Sequence, residues 1–125
     1  MIDQPQASVT KKILVVDDEA DMVATCVRLL KSLGYICLTA KDAAEALLLL
    51  DAERPDLVLT DLKLPILDGL TVVRHARGLR DPVPVVVFTG YVSPASRRAS
   101  LEAGAAAYLK KPFTAEELRE TVRRV

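Results

Sequence analysis

The chain has 125 residues, of which 50% are hydrophobic, and its 17 basic and 17 acidic side chains give a formal net charge of zero. This length and apolar content predict one globular domain with its own core, and the balanced charge argues against direct binding of nucleic acid. The polar first residues lack a secretory signal and no apolar run reaches the roughly 20 residues of a membrane span, so we predict a cytoplasmic protein with no membrane segment.

Short apolar runs alternate along the chain with longer stretches of helical period, which is typical of a doubly wound α/β domain with a parallel sheet. Residues 1–11 are polar and are predicted to form a flexible tail, and residues 12–125 are predicted to form the domain. Five strands are predicted, at residues 13–16, 35–39, 57–60, 85–88 and 106–109. A helix is predicted after each of them.

Most of the predicted helices begin or end at residues with a known capping preference. Gly34 and Gly104 are predicted to end the first and fourth helices. Ser93 and Pro94 suit the N-cap and first position of the fourth helix. Capping boxes are predicted for the second and fifth helices, from Asp42 with Glu45 and from Thr114 with Glu117. The last helix reaches Val125 without a stop signal, so the sequence is compatible with a longer gene product.

Polar side chains follow four of the five predicted strands. Asp17 and Asp18 follow the first strand, Asp61 the third, Thr89 the fourth and Lys111 the fifth. In a doubly wound sheet the carboxyl ends of the strands form one edge, and ligands bind beyond that edge. We therefore predict that these five side chains form one site.

The predicted site combines three carboxylates with one amine. Carboxylates a few ångströms apart repel one another, so a cation is needed between them, and Mg²⁺ suits an all-oxygen site that also takes a phosphate oxygen. Lys111 supplies a second positive charge. This chemistry predicts transfer of a phosphoryl group to Asp61 as the nucleophile, with the Thr89 hydroxyl and the Gly90 amide completing the anion site.

Each of these residues also has a simpler interpretation when it is taken alone. Asp18 is as well suited to capping the first helix as to binding a metal. Asp61 is a common turn residue, Thr89 a common strand-end residue, and Lys111 an ordinary exposed lysine beside a turn proline. The site interpretation is favoured because independent turn residues have no reason to gather at one end of one sheet.

Four segments together resemble a known family. The segments ILVVDDE, DLVLTDLKLPILDG, VVVFTG and YLKKPF are similar to those of the response-regulator receiver domain of two-component signalling, and the resemblance extends from about Lys12 to Val125. It implies a (βα)5 flavodoxin-like fold with strand order 2-1-3-4-5. It also implies a signalling switch, not an enzyme, that catalyses only its own phosphorylation and dephosphorylation.

The resemblance assigns roles to the predicted site residues. Asp61 would take a phosphoryl group from a sensor histidine kinase or a phosphotransfer protein. Asp18 and Asp61 would bind Mg²⁺ directly, with the backbone carbonyl of Lys63 as a third ligand and with Asp17 acting mainly through water. Lys111, followed by a cis proline, would pair with Asp61 or with its phosphate.

The resemblance further implies a switch in which Thr89 moves toward the phosphoryl group and Tyr108 turns inward. That movement would change the surface of the fourth helix, fifth strand and fifth helix, where an output domain or a downstream protein would bind. A homodimer is also possible on phosphorylation. The charged residues of that surface are Arg97, Arg98, Glu102, Lys110 and Arg119. An ordinary half-buried strand aromatic is an equally good interpretation of Tyr108.

Two residues are expected to tune the site without defining it. Lys63 and Tyr91 stand two positions after Asp61 and Thr89, and the resemblance implies that these two positions tune the behaviour of the domain. An ammonium group and an aromatic ring at the mouth of the site would hinder an attacking water. They therefore predict slow loss of the phosphoryl group.

Three other residues with reactive side chains are predicted to lie outside the site. His75, the only histidine, falls within the third predicted helix and is interpreted as a surface or packed helical residue. Cys26 and Cys37 fall within apolar runs and are interpreted as buried free thiols of a reducing compartment.

Other functional classes fit the sequence less well. A phosphatase of the haloacid dehalogenase type resembles D-x-D, but Lys63 stands where the second acid would be. A nucleotide-binding domain needs a glycine-rich loop after the first strand, where this chain has an acidic turn. The remaining alternative is a degenerate receiver that acts only as a protein-binding module, and it would have lost an acid, the hydroxyl or the lysine.

Overall fold

The computed structural model describes residues 11–125, so the predicted tail lies outside the described residues apart from Lys11. Ten elements alternate strictly between strand and helix. They are β1 (Lys12–Val16), α1 (Ala20–Ser32), β2 (Ile36–Ala40), α2 (Ala43–Glu53), β3 (Leu57–Asp61), α3 (Gly69–Arg77), β4 (Val85–Thr89), α4 (Pro94–Ala103), β5 (Ala107–Lys110) and α5 (Ala115–Arg124).

The five strands form one parallel sheet in the order β2-β1-β3-β4-β5. The predicted flavodoxin-like fold and its strand order are therefore confirmed. Every residue of β3 and β4 is buried, as expected for central strands covered on both faces by helices. The observed β2 and β5 each begin one residue later than predicted, which is the usual uncertainty of element ends.

Two apolar layers hold the helices on opposite faces of the sheet. Successive side chains of a strand point to opposite faces, so Ile13 and Val15 pack on one layer while Leu14 and Val16 pack on the other. The first layer contains residues of α1 and α5, namely Cys26, Leu30, Leu118 and Val122. The second contains residues of α2 and α3, including Ala46, Leu50, Val72, Val73 and Ala76. The helices therefore cover both faces of the sheet, and the loops lie at the ends of its strands.

The predicted helix ends are largely confirmed. Gly34 and Gly104 have φ angles of +96° and +110°, which a residue with a Cβ rarely adopts. Reciprocal capping boxes begin α4 and α5, and in α4 the partner of Ser93 is Ser96.

The capping box predicted for α2 is only half correct. The Asp42 carboxylate accepts a hydrogen bond from the Glu45 backbone N–H at 2.8 Å. The Glu45 carboxylate accepts instead from the N–H of Lys41, at 2.9 Å, one residue before the predicted position. The second helix therefore begins where predicted, but with a different second bond.

The sheet brings the predicted site residues to one edge. Asp61 and Thr89 are the last residues of β3 and β4, while Asp17 and Lys111 directly follow β1 and β5. The peptide bond between Lys111 and Pro112 is cis, as the resemblance implied. Within residues 11–125, no helix has both the length and the apolar content needed to cross a bilayer.

Candidate functional site

A nearly buried ion cluster lies at the carboxyl edge of the sheet. Lys111 Nζ is 3.0 Å from Asp17 Oδ2 and 3.2 Å from Asp61 Oδ2, and the side chains are 13%, 0% and 9% exposed, respectively. Residues 94 positions apart in sequence are joined because β1, β3 and β5 all end at this edge. The predicted convergence of two acids and the lysine is thus observed.

The Lys111 ammonium is supported from several sides. Its third carboxylate contact is Glu19, at 3.5 Å. It also lies 4.9 Å from the ring centroid of Phe88, which is fully buried. Burial lowers the pKa of Lys111, but the hydrogen bond to Asp17 and the nearby acidic charges outweigh it and raise the pKa above the ordinary value. The amine is therefore a fixed positive charge at neutral pH.

Burial dominates the ionisation of Asp61. It raises the pKa of Asp61 above its ordinary value, and the charge of Asp17 acts in the same direction. Lys111 opposes the shift, as does the backbone N–H of Lys63, which donates to Asp61 Oδ1 at 3.2 Å. The charged form of the Asp61 carboxylate is consequently destabilised in the folded protein.

Replacing Asp61 with asparagine is expected to stabilise the fold at neutral pH by on the order of 1 kcal/mol. Because the folded-state pKa of Asp61 is raised, the wild-type carboxyl makes its full contribution to stability below the unfolded value of 3.8. That contribution is lost as the pH rises through the folded pKa. The advantage of Asp61→Asn should therefore be present at pH 7 and disappear near pH 3. Urea unfolding of both proteins at the two pH values measures it, and an Asp61→Asn variant less stable than wild type at pH 7 would contradict it.

Glu19 joins the site although the sequence analysis did not place it there. Carboxylate oxygens of Asp17, Glu19 and Asp61 lie within 4.8 Å of one another. Three hard oxygen donors so close together suit Mg²⁺, which takes carboxylates and water in preference to nitrogen or sulfur ligands. The donor set therefore fits a divalent cation. The signal for Glu19 was its place in the acidic run Asp17-Asp18-Glu19.

Asp18 lies at the edge of the site. It is exposed and does not belong to the group of three close carboxylates. It is also not the cap of α1, because Glu19 occupies the N-cap position and no side chain caps that helix. The capping interpretation of Asp18 is therefore wrong, and its direct binding to a metal stays a prediction.

A pocket of about 290 Å³ opens above Asp61. It is lined by Asp18, Glu19, Asp61, Lys63, Gly90, Tyr91 and Lys111. A larger groove of about 580 Å³ lies beside it between α1 and α2, but its walls are mainly apolar. The smaller pocket is the one whose polar groups suit an anion bound with a cation.

Two side chains form a bridge across the mouth of this pocket. Lys63 Nζ lies 5.1 Å from the ring centroid of Tyr91, within the range of a cation–π contact. The β3–α3 and β4–α4 loops are joined in this way. The bridge was not foreseen, although both residues were predicted to stand at the mouth.

Thr89 is buried beside the pocket. Its hydroxyl oxygen accepts a hydrogen bond from the Tyr91 N–H at 3.0 Å. Among the hydrogen bonds of residues 11–125, none joins Thr89 to Asp61. The hydroxyl is thus close to the site in the fold, but its bond ties down the loop that follows β4.

Tyr108 is half-buried on β5, as the simpler interpretation expected, and it also has a specific partner. Its hydroxyl lies 2.6 Å from Ser96 Oγ on α4. The Arg97 guanidinium lies 5.8 Å from its ring centroid. The charged residues predicted for the surrounding surface, Arg97, Arg98, Glu102, Lys110 and Arg119, are all exposed.

The histidine and the cysteines lie outside the site. His75 Nε2 is 2.9 Å from Asp51 Oδ1 and joins α3 to α2. Both cysteines are free; Cys26 is buried, while Cys37 is only half-buried. Burial raises the pKa of the Cys26 thiol to about 11, which leaves it protonated and unreactive.

The chain belongs to the family described as the response regulator receiver domain, which it matches over residues 13–123. Transcriptional regulatory protein PrrA of Mycobacterium tuberculosis is 44% identical over 107 residues, which are 86% of this chain and 46% of that protein.

Two solved structures extend the comparison. A CheY-like receiver domain protein from Methanospirillum hungatei is 34% identical, with a TM-score of 0.88 and coverage of 93% of each chain. A response regulator protein from Burkholderia pseudomallei, solved with a phosphorylated aspartic acid and a calcium ion, is 32% identical with a TM-score of 0.83, covering 89% of this chain and 65% of that one.

Membership of the family fixes the general class of function. Receiver domains are signalling proteins that generally bind Mg²⁺ at an acidic pocket, and response regulators receive phosphate from histidine kinases and link to output domains. The chain spans about half the length of the curated relatives it matches.

Proposed function

We propose that this domain is a phosphorylation switch whose phosphoacceptor is Asp61. The observation that carries the proposal is the position of the Asp61 carboxylate. It lines the pocket, and its Oδ2 lies 3.2 Å from Lys111 Nζ. In the transfer, a carboxylate oxygen forms the new P–O bond. The P–N bond of a partner's phosphohistidine breaks, and its electron pair returns to the imidazole.

The acidic residues would hold the divalent cation that this reaction requires. Asp61 would be a ligand together with Asp18 and the Lys63 carbonyl, while Asp17 would act mainly through water. The closeness of Glu19 to Asp17 and Asp61 supports a further contribution from its carboxylate. When bound, Mg²⁺ would supply positive charge to the phosphoryl oxygens.

Three residues of the chain would bind the phosphoryl group directly. Lys111 would neutralise a second phosphoryl oxygen, and its fixed charge and buried position support that role. Thr89 would turn its hydroxyl toward the phosphoryl group and so release the Tyr91 N–H that it now binds. Gly90 would offer its backbone amide, since the residue lines the pocket that Asp61 also lines.

The change at Thr89 would be transmitted to the surface formed by α4, β5 and α5. Tyr108 would turn inward, and the exposed charges around it would meet an output domain, a downstream protein or a second copy of the chain. A sensor histidine kinase or a phosphotransfer protein would supply the phosphoryl group. Direct contact with nucleic acid is not expected of this domain, because its net charge is zero.

Intact-mass measurement after incubation with acetyl phosphate tests the proposal. Wild type should gain one phosphate only when Mg²⁺ is present, and Asp61→Asn should gain none. Asp56→Asn is a matched control, because Asp56 is an exposed acid before β3 and should leave the gain unchanged. An unmodified wild type, or an equal gain in Asp61→Asn, would favour a domain that only binds proteins.

The bridge between Lys63 and Tyr91 is expected to slow the loss of the phosphoryl group. Both residues line the pocket, and their contact would restrict the approach of water. Lys63→Asn combined with Tyr91→Ala should speed dephosphorylation about tenfold, which corresponds to about 1.4 kcal/mol in the barrier. The decay of phosphorylated protein after removal of the donor measures this. Loss of label within seconds in wild type, with no acceleration in the double variant, would contradict the idea.

A further inference from the structure

Tyr108 is bound to the first turn of α4 by one short hydrogen bond. Its hydroxyl and Ser96 Oγ are 2.6 Å apart, and both residues are half-buried. The two belong to different elements and are 12 positions apart in sequence. The bond therefore joins β5 to the helix that packs beside it.

Ser96 is also a member of the capping box that begins α4. Its Oγ accepts from the Ser93 N–H at 3.3 Å, and its own N–H donates to Ser93 Oγ at 3.0 Å. The Ser93 carbonyl lies 3.2 Å from the same Ser96 hydroxyl. All these contacts are satisfied when Tyr108 donates its proton to Ser96 and Ser96 donates its single proton to the Ser93 carbonyl. One hydroxyl thus serves both the helix cap and the tyrosine.

The position of Ser96 is also held by a residue one turn later in α4. The Ser100 hydroxyl, on a fully buried residue one turn later, donates to the Ser96 carbonyl at 2.8 Å. Arg97 lies against the Tyr108 ring, 5.8 Å from its centroid. Since Ser96 is held by its own helix, the tyrosine hydroxyl cannot leave without giving up a well-placed partner.

Only a short segment separates this cap from Thr89. Ser93 is four positions after Thr89, and the segment between them is tied back by the bond from the Tyr91 N–H to the Thr89 hydroxyl. A movement of Thr89 that breaks this bond would reach Ser93 and then Ser96 through these few residues. The cap of α4 is thus the first structured element that follows Thr89 along the chain.

We propose that Ser96 is a positioning residue that holds Tyr108 in its present place and so opposes the phosphorylated arrangement. The inference rests on the proposed function. Because a ligand must overcome any interaction made only in the other state, loss of the Ser96 hydroxyl makes the phosphorylated state easier to reach. Loss of one ordinary hydrogen bond corresponds to about a fivefold change in that equilibrium.

The test uses beryllium fluoride with Mg²⁺ as a phosphate analogue and measures its half-saturating concentration by NMR titration. Ser96→Ala and Tyr108→Phe should each lower that concentration about fivefold, and the double variant should go no further, because both changes remove the same bond. Ser96→Thr keeps a hydroxyl and should restore the wild-type value. Additive effects of the two single variants would overturn the inference.

Ser93→Ala separates this role from simple capping. It removes the acceptor for the Ser96 N–H but leaves the hydroxyl that contacts Tyr108. It should lower the thermal midpoint without changing the affinity for the analogue. If Ser93→Ala raises the affinity as much as Ser96→Ala does, the cap and not the tyrosine contact is responsible, and the inference is wrong.

The ring signals of Tyr108 distinguish failure of this inference from failure of the proposed function. Without the analogue, they should shift in Ser96→Ala and stay unchanged in Ser93→Ala. A wild type that neither binds the analogue nor gains phosphate would refute the phosphorylation switch and the inference that depends on it. If wild type binds the analogue and Ser96→Ala binds it with the same affinity, only the role of Ser96 is refuted.

Discussion

Replacing Lys111 with methionine is expected to slow phosphorylation of Asp61 by about 10²–10³-fold, the usual cost of losing one fixed positive or hydrogen-bonding group at a site of developing charge. Methionine keeps much of the length of the lysine stem but removes the ammonium that lies 3.2 Å from Asp61. The rate of mass gain with acetyl phosphate and saturating Mg²⁺ measures the effect.

The same substitution should also lower the free energy of unfolding by about 3 kcal/mol when no Mg²⁺ is present, because it leaves buried carboxylates without their cation. The Asp17 side chain is 0% exposed and loses its partner at 3.0 Å. Added Mg²⁺ should recover more stability in Lys111→Met than in wild type, since the ion then supplies the only positive charge among the acids.

Lys110→Met is the matched control for both measurements. Lys110 is the adjacent residue, it is exposed at the end of β5, and no ion pair involving it is found among residues 11–125. It should leave the phosphorylation rate and the unfolding free energy nearly unchanged. Equal rates for Lys111→Met and wild type would show that the ammonium takes no part in the transfer.

Gly69→Ala is expected to destabilise the fold by about 2–3 kcal/mol, as overpacking against fixed atoms does. A Cβ at Gly69 would overlap the backbone carbonyl oxygen of Asp61 and lie 2.9 Å from Leu62 Cα. Both obstacles are backbone, so neither can rotate away. The hydrogen bond from the Gly69 N–H to the Leu62 carbonyl, at 2.8 Å, holds α3 against the end of β3.

Thermal unfolding monitored by circular dichroism measures this effect, and the midpoint should fall by about 10 °C. Gly90→Ala is the control, because a Cβ at Gly90 meets nothing within 4 Å, and its midpoint should stay close to that of wild type. If Gly69→Ala relaxes by displacing the backbone of Asp61, phosphorylation should slow as well. An unchanged midpoint would mean that α3 can shift away freely.

Much of the fold could be predicted because apolar periodicity and strand-end chemistry are local features of the sequence. Continuous apolar runs indicated buried strands such as β4, and glycine indicated the end of α1 at Gly34. The convergence of Asp17, Asp61 and Lys111 followed from the rule that parallel strands end at a common edge. These inferences needed no knowledge of side-chain direction.

The contacts that could not be predicted depend on direction and register. Asp18 and Glu19 are adjacent in one acidic turn, yet only Glu19 points its carboxylate toward Lys111. The bond between Ser96 and Tyr108 depends on how α4 lies across β5, which no local pattern records. Lys111 was expected to pair with Asp61, but its shortest contact is with Asp17, because both acids reach the same ammonium.

The 94 positions between Asp17 and Lys111 have a consequence for synthesis and for fragments of the chain. Asp17 and Asp61 leave the ribosome long before Lys111 does. Contacts of such high sequence separation form late in folding. A product truncated before β5 would carry uncompensated negative charge and would lack the amine that we propose takes part in phosphoryl transfer. If Lys111 has this role, competence to be phosphorylated would report that the polypeptide has been made and folded through its fifth strand.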